Sequence, residues 1–404
     1  MSTSSRPDGA GARPMRRREL LRYGALLAAG AALPGRALAW PGAAPAALPA
    51  VLPGAKRTKR VVLVVFGGGV RSRETILSGN VPNMLRIAEE GVLYPATRVE
   101  NNGHYGAAMS VFTGATESFG IRENERAPHP TLFEYVRRDA GLPASDVWLS
   151  TSGSEQETNY AYGLDPRFGS RYGANLIGGE GVFNAQFKQL IGGEDGIRHP
   201  NEGQEQLLAR LRGAVAPDRP VADGGEPTND PEAAARIERY ILDELRGGTS
   251  AITGLGANDA KALHVARNLL AIFRPRLLAV TLRDPDVAHG SFNDYVSVIR
   301  RNDEGLGQLY DAIRQDPELA DSTALFVLPE FGRDRDLNQR RGLDHGDDSR
   351  ELHEVALLAW GPDFGRGRTV GRAVRSIDVC PTIASLFGVG AGTSRGSALP
   401  GLYA

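Results

Sequence analysis

The chain has 404 residues, 41% hydrophobic and 24% charged, with a formal net charge of −1 and a single cysteine. This is ordinary globular composition with material for one large core, as a single domain or a domain with an inserted lobe. Cys380 stands alone, which excludes an internal disulfide and a cysteine-rich metal site, so any metal must be held by His and carboxylate.

In chain order, the N-terminus comes first. Arg17-Arg18-Glu19-Leu20-Leu21-Arg22 is followed by the apolar run YGALLAAGAAL and then Ala37-Leu38-Ala39, a small-x-small cleavage pattern. Residues 1–39 therefore read as an export signal of the twin-arginine type, implying the twin-arginine machinery as a partner and a periplasmic or secreted location. The apolar run is shorter than the roughly 20 residues of a span and carries Gly24, Gly30 and Pro34, so no stable membrane span is expected; an uncleaved anchor is the alternative. Removing residues 1–39 takes away seven Arg and two acids and leaves a net charge of −6, with no electrostatic footprint for nucleic acid.

A linker at 40–59 ends in the basic run KRTKR, which overlaps the start of an α/β domain expected over 60–404. VVLVVF at 61–66 reads as a buried parallel strand emptying into Gly67-Gly68-Gly69. Residues 81–91, with Pro82 near the start and Gly91 at the end, read as a helix. Further strands are expected at 92–99, 146–151, 276–282, 322–328 and 354–360. Helical patterns lie at 131–140, 203–213, 231–246, 259–273, 294–315 and 378–387, and AMSVFTG reads as a buried helix. Strands alternating with helices predict an α/β three-layer sandwich with a mostly parallel central sheet. Residues 152–230, rich in Gly, Asn, Ser and Pro, are expected to form an inserted cap or loop region. In the 294–315 helix, Tyr295, Val298, Ile299, Leu306, Leu309 and Ile313 form a core-facing stripe, with Asp294 or Asp303 left to solvent.

Three segments just past expected strands combine His or carboxylate. They are Asp286-Val287-Ala288-His289, then Glu330-Phe331-Gly332-Arg333, then Asp344-His345-Gly346. Oxygen and imidazole ligands converging from several strand ends are what a divalent cation such as Zn²⁺ needs where thiolate is absent. The ordinary alternatives are that Asp286 caps a turn with His289 solvated, and that Arg333 pairs with Asp334, Asp336 or a neighbour. Gly67-Gly68-Gly69 is either an anion cradle or, without the spacing of a phosphate loop, a tight turn. Asn101 and Asn102 are either orienting groups or turn residues.

The ordered set VVLVVFGGG, PNMLRIAEEGVLYPATRV, HYGAAMSVFTG, DVAHGSFNDY, PEFGRDRDLN, GLDHGDD, LLAWGPDF and DVCPTIASLFGV resembles the alkaline-phosphatase superfamily. It is most similar to sulfatase-like proteins that are twin-arginine exported and carry E-F-G-R followed by D-H-G. The resemblance covers about residues 60–135 and 275–390. It implies that Asp286 and His289 bind one metal of a two-metal centre and that His345 is the third ligand of the same metal. The second site departs from the family pattern: Gly67-Gly68-Gly69 stands where an Asp is usual, and Glu330-Phe331 stands where an Asp-His pair is usual. Only Glu330 remains there, as a weak second-site ligand or general base. His104 stands where the family carries its nucleophile, and it is either nucleophile or additional ligand. Arg333 is a candidate for binding the anion of the substrate.

The resemblance therefore implies an exported, metal-dependent hydrolase of a small phosphate or sulfate ester with a reduced, one-metal site holding a divalent ion of the zinc kind. The competing reading is a non-catalytic metal- or ligand-binding member of the same superfamily. A mutase or transferase on sugar phosphates ranks below both, since it needs the missing hydroxyl and both metals.

Overall fold

The computed structural model describes residues 56–118, 126–153, 155–178, 249 and 251–403. The expected signal at 1–39, most of the 40–59 linker, the 203–213 and 231–246 helices and most of the 152–230 insert lie outside the described residues. Among those described, no helix is long and apolar enough to cross a membrane.

Among the described residues, nine strands make one sheet: β1 (Arg60–Phe66), β2 (Val92–Arg98), β3 (Val147–Thr151), β4 (Asn175–Gly178), β5 (Leu277–Leu282), β6 (Thr323–Pro329), β7 (Glu354–Trp360), β8 (Arg368–Thr369) and β9 (Val374–Arg375). Their order is β4-β3-β5-β1-β6-β7-β2-β8, with β9 beside β2. The strands from β4 to β6 pair in parallel, and only β7 runs against its neighbours. The helices that cover the sheet are α1 (Pro82–Glu90), α2 (His104–Thr113), α3 (Leu132–Arg138), α4 (Ala257–Phe273), α5 (Phe292–Gln315) and α6 (Val379–Leu386).

β1 explains the layers. Its residues alternate between faces, and both faces are covered, so Val61 to Phe66 are all buried and the run is apolar throughout. Leu63 and Val65 pack with Met109 of α2, Phe133 of α3 and Ile383 of α6. Val62 and Val64 pack with Ile87 of α1, Leu269 of α4 and Leu306 of α5. The result is the expected three-layer α/β sandwich. In β2, Pro95 has no N–H to give the ladder, and the pairing with β7 shifts register between Tyr94 and Thr97.

Two expectations need correction. Residues 175–178, assigned to an inserted cap, instead form the edge strand β4 beside β3, so this part of the segment belongs to the sheet. Asp303, counted among the residues left to solvent, is only 1% exposed. Its carboxylate accepts from the backbone N–H groups of Asn83 (3.0 Å) and Met84 (2.8 Å) and from the Asn83 amide (2.9 Å). The first turn of a helix has unpaired N–H groups, and α1 has no side-chain cap of its own. Asp303 supplies that cap from α5.

Asp303→Ala strands one buried and one half-buried N–H group and is expected to lower stability by about 2 kcal/mol. Urea unfolding reads this as a lower midpoint with an unchanged slope. A midpoint equal to that of the unsubstituted chain would remove the capping role.

Candidate functional site

The register of the central strands brings the site together. Phe66 pairs with Leu282 on one side and Pro329 on the other, so Gly67, Arg283 and Glu330 leave the sheet at one level. This is the carboxyl edge, where open α/β sheets place their ligands. The turn after β1 requires glycine for two reasons. Gly68 (φ 74°) and Gly69 (φ 68°) are left-handed, and a Cβ on Gly68 would lie 2.4 Å from the Asp286 nitrogen. The Gly68 N–H donates to Glu330 Oε1 at 2.8 Å. The turn reading holds, because that amide is committed to a carboxylate.

Each histidine arrives on a different element. His104 is the first residue of α2, after Gly103 in an extended conformation. His289 ends the short helical segment Asp284–His289 that follows β5. His345 lies in the loop between β6 and β7, which is tied down by Leu343 N donating to Ala288 O (2.7 Å) and Asp334 N donating to Asp344 O (2.9 Å). The Asn102 amide donates to the backbone O of His345 at 2.8 Å, so Asn102 orients this loop. One nitrogen from each of His104, His289 and His345 lies within 4.8 Å of the others. The His345 ring centroid is 4.8 Å from that of His104 and 5.0 Å from that of His289. Asp286 Oδ1 is 3.2 Å from His104 Nε2 and 3.4 Å from His289 Nε2. The four residues singled out in the sequence thus meet although the chain separates them.

Carboxylates hold two of the rings from behind. Glu330 Oε1 is 2.6 Å from His104 Nδ1, and Asp344 Oδ1 is 2.6 Å from His289 Nδ1. A carboxylate facing Nδ1 holds a proton there and turns Nε2 inward. Glu330 is only 2% exposed and its Oε1 serves both Gly68 and His104. It is placed to orient a ligand.

Arg333 differs most from expectation. Its side chain is 0% exposed, and its ion pair is with Asp286 (Nη2 to Oδ1, 2.6 Å), not with Asp334 or Asp336. Nε donates to Gly68 O (2.9 Å), Nη2 also reaches Gly68 O, and Nη1 donates to Leu343 O (3.1 Å) and faces His289 Nε2 (3.1 Å). Every guanidinium nitrogen faces the protein. Here the arginine is an internal cation.

The electrostatics follow from these contacts. Burial opposes charge on His104, but Glu330 and Asp286 outweigh it and raise its pKa to about 9. Burial also opposes charge on Asp286, yet His104 and Arg333 hold its carboxyl well below the usual range. Burial, followed by the charges of His104, Arg333 and His289, lowers His345 to about 4, so its ring is neutral with a free lone pair.

A small cavity of about 50 Å³ lies beside His104, lined by His104, Asp286, Glu330, Arg283, Glu157 and Tyr160 among others. Glu157 was missed from sequence because it sits in a Gly/Ser/Asn-rich stretch with no motif. It is buried, accepts from Thr281 Oγ1 at 2.8 Å, and burial pushes its pKa to about 8. Asp344 was singled out only within Asp344-His345-Gly346; its bond to His289 spans 55 residues and leaves no local signal. Ser110 and Thr113 are absorbed in the helix, donating to Gly106 O and Met109 O. Neither hydroxyl is directed to the site.

No family profile and no curated protein sequence matches this chain. Solved structures do match. A mutant of the alkaline phosphatase PafA superposes with a TM-score of 0.55 at 10% identity, covering 87% of this chain and 100% of that one. Wild-type PafA gives 0.50 at 11% identity over 87% and 100%. The lipoteichoic acid synthase LtaP from Listeria monocytogenes gives 0.50 at 11% identity over 89% and 78%. On its nine-stranded sheet and these superpositions, the chain has the alkaline-phosphatase fold.

Proposed function

We propose that this protein is a metal-dependent hydrolase of a phosphate or sulfate ester, built around one divalent ion held by His104, His289 and His345, with Asp286 beside them. The observation that carries this reading is the pair of carboxylates, Glu330 and Asp344, each 2.6 Å from the Nδ1 of a histidine whose Nε2 turns toward a common point. That donor set fits a zinc-like ion: imidazole ligands, two with fixed tautomers, and no thiolate. When bound, the ion supplies Lewis acidity that polarises an ester oxygen.

The chain's own residues do the rest. Glu330 and Asp344 aim His104 and His289, and Asn102 holds the backbone of His345. Asp286, kept ionised by Arg333 and His104, places a negative charge at the centre. Arg333 supplies a fixed positive charge next to it, and its Nη1 faces the His289 Nε2 that would hold the ion. Glu157 keeps a proton at neutral pH on the wall of the same cavity and is the group placed to give it to a departing oxygen. His104 is read as a ligand, since both its nitrogens are engaged at the centre. Residues 1–39 are read as a twin-arginine signal that exports the folded chain, and residues 60–404 as its hydrolase domain.

One observation favours the non-catalytic reading. The Arg333–Asp286 ion pair balances the central charge without any ion, which suits a ligand-binding member of the same fold. Elemental analysis of the purified chain, with a screen of aryl phosphate, aryl phosphodiester and aryl sulfate, separates the two. The hydrolase reading expects one divalent ion per chain and turnover of at least one ester. His104→Ala, His289→Ala and His345→Ala are each expected to abolish stoichiometric metal, and Glu330→Gln or Asp344→Asn to weaken metal affinity about 10- to 100-fold. An ion retained after all three histidine changes would refute the site.

Glu157 generates a separate expectation. Its folded pKa of about 8 lies well above that of a free glutamate, so the folded chain keeps a proton that the unfolded chain releases. That stabilisation is complete below the unfolded pKa and is lost as pH rises through about 8. Relative to Glu157→Gln, the unsubstituted chain should lose up to about 1.4 kcal/mol per pH unit across this window and level off above it. Parallel stability curves for the two proteins, from urea unfolding at several pH values, would show that Glu157 has an ordinary pKa.

A further inference from the structure

Arg283 is the first residue after β5 and is clamped through its main chain. Its N–H donates to the buried Asp259 Oδ1 at 2.7 Å, and its carbonyl accepts from Asp286 N at 3.0 Å. Its side chain is the reverse of this. It is exposed, and among the described residues its guanidinium makes no hydrogen bond or ion pair. It lines the small cavity beside His104 and Asp286 and also a neighbouring cleft of about 530 Å³.

The cleft has two kinds of wall. Leu255, 45% exposed and one of four exposed large hydrophobic residues among those described, stands there with Val287 and the turn Gly254–Gly256. The carboxylates of the cleft are already matched: Asp284 accepts from Asp259 N (3.0 Å) and the Asn258 amide (3.2 Å), and Asp286 pairs with Arg333. Arg283 therefore leaves open guanidinium donors beside an apolar surface. A planar guanidinium with open donors matches the paired oxygens of a phosphate or sulfate. An apolar wall next to it suits an organic group attached to that oxyanion.

We propose that Arg283 holds the oxyanion of the ester while the organic part of the ester lies in the cleft against Leu255 and Val287. Only the word "ester" rests on the hydrolase reading; the anion subsite stands on the cleft and the unpaired cation.

The test is calorimetric titration of the metal-loaded full chain with phenylphosphonate and benzenesulfonate, and with inorganic phosphate and sulfate as head-group controls. At least one aryl oxyanion is expected to bind. Arg283→Gln should weaken it about 10-fold or more, Arg283→Lys should fall between, and the exposed Arg372→Gln should change nothing. Leu255→Ser should weaken the aryl probe several-fold, by about one buried apolar contact, and leave the inorganic ion unchanged. Circular dichroism confirms that each variant is folded. The proposal is overturned if Arg283→Gln binds as tightly as the unsubstituted chain, or if that chain binds no probe up to about 10 mM. Arg283-dependent binding without turnover of any ester keeps the subsite and removes the hydrolase reading; turnover with binding indifferent to Arg283 does the opposite.

Discussion

The site depends on one buried guanidinium. Arg333 donates to the turn after β1 through Gly68 O, to the loop after β6 through Leu343 O, and to the segment after β5 through Asp286. Taking such a charge out of water costs several kcal/mol unless a counter-charge and full hydrogen bonding offset it. Both are present, and together they fix the relative positions of three chain segments far apart in sequence. Because Asp286 and His289 are held by the same guanidinium, the geometry of the histidine cluster is inherited from it.

This also makes sense of the residues that depart from the resembled pattern. Where that pattern has an Asp at the end of the first strand, this chain has Gly67-Gly68-Gly69; where it has Asp-His, this chain has Glu330-Phe331. With no carboxylate at the end of β1, the charge of the buried Arg333 is balanced by Asp286. The glycines then have a positive role: their backbone oxygens accept from the arginine and their missing Cβ atoms let the segment around Asp286 approach. Phe331 fills space, packing its ring 4.9 Å from that of His104 and 5.2 Å from that of His345.

The strands were legible because most are buried on both faces and read as unbroken apolar runs; β1, β5, β6 and β7 fall within a residue of expectation. The long helix α5 was legible from its stripe, since all six residues named there are buried. β4 was not, because an edge strand of four residues beside Gly178 carries no such run. Asp303 misled for a related reason. Helical spacing shows which side of a helix is apolar, but it does not show that a neighbouring helix start lies over a polar position and needs its carboxylate. At the site, His289, His345, Glu330 and Asp344 were visible as residue types placed after strands, and His104 through the resemblance. Which carboxylate holds which ring was not, because Glu330 and Asp344 act through hydrogen bonds spanning 226 and 55 residues.

The two arginines show where residue type stops being informative. Arg333 and Arg283 both follow a strand at the same edge of the sheet, and both neighbour Asp286. Burial alone divides them. Arg333 lies beneath the glycine turn, where water cannot reach it, so every donor must find a protein acceptor and the residue becomes part of the frame. Arg283 stands at the mouth, where water satisfies its donors until something better arrives. A desolvated, fully bonded cation cannot trade its contacts for a ligand without leaving buried acceptors unpaired, whereas a hydrated one gives up only water. Arg333 therefore sets the field at the centre, and Arg283 is the arginine free to meet an anion.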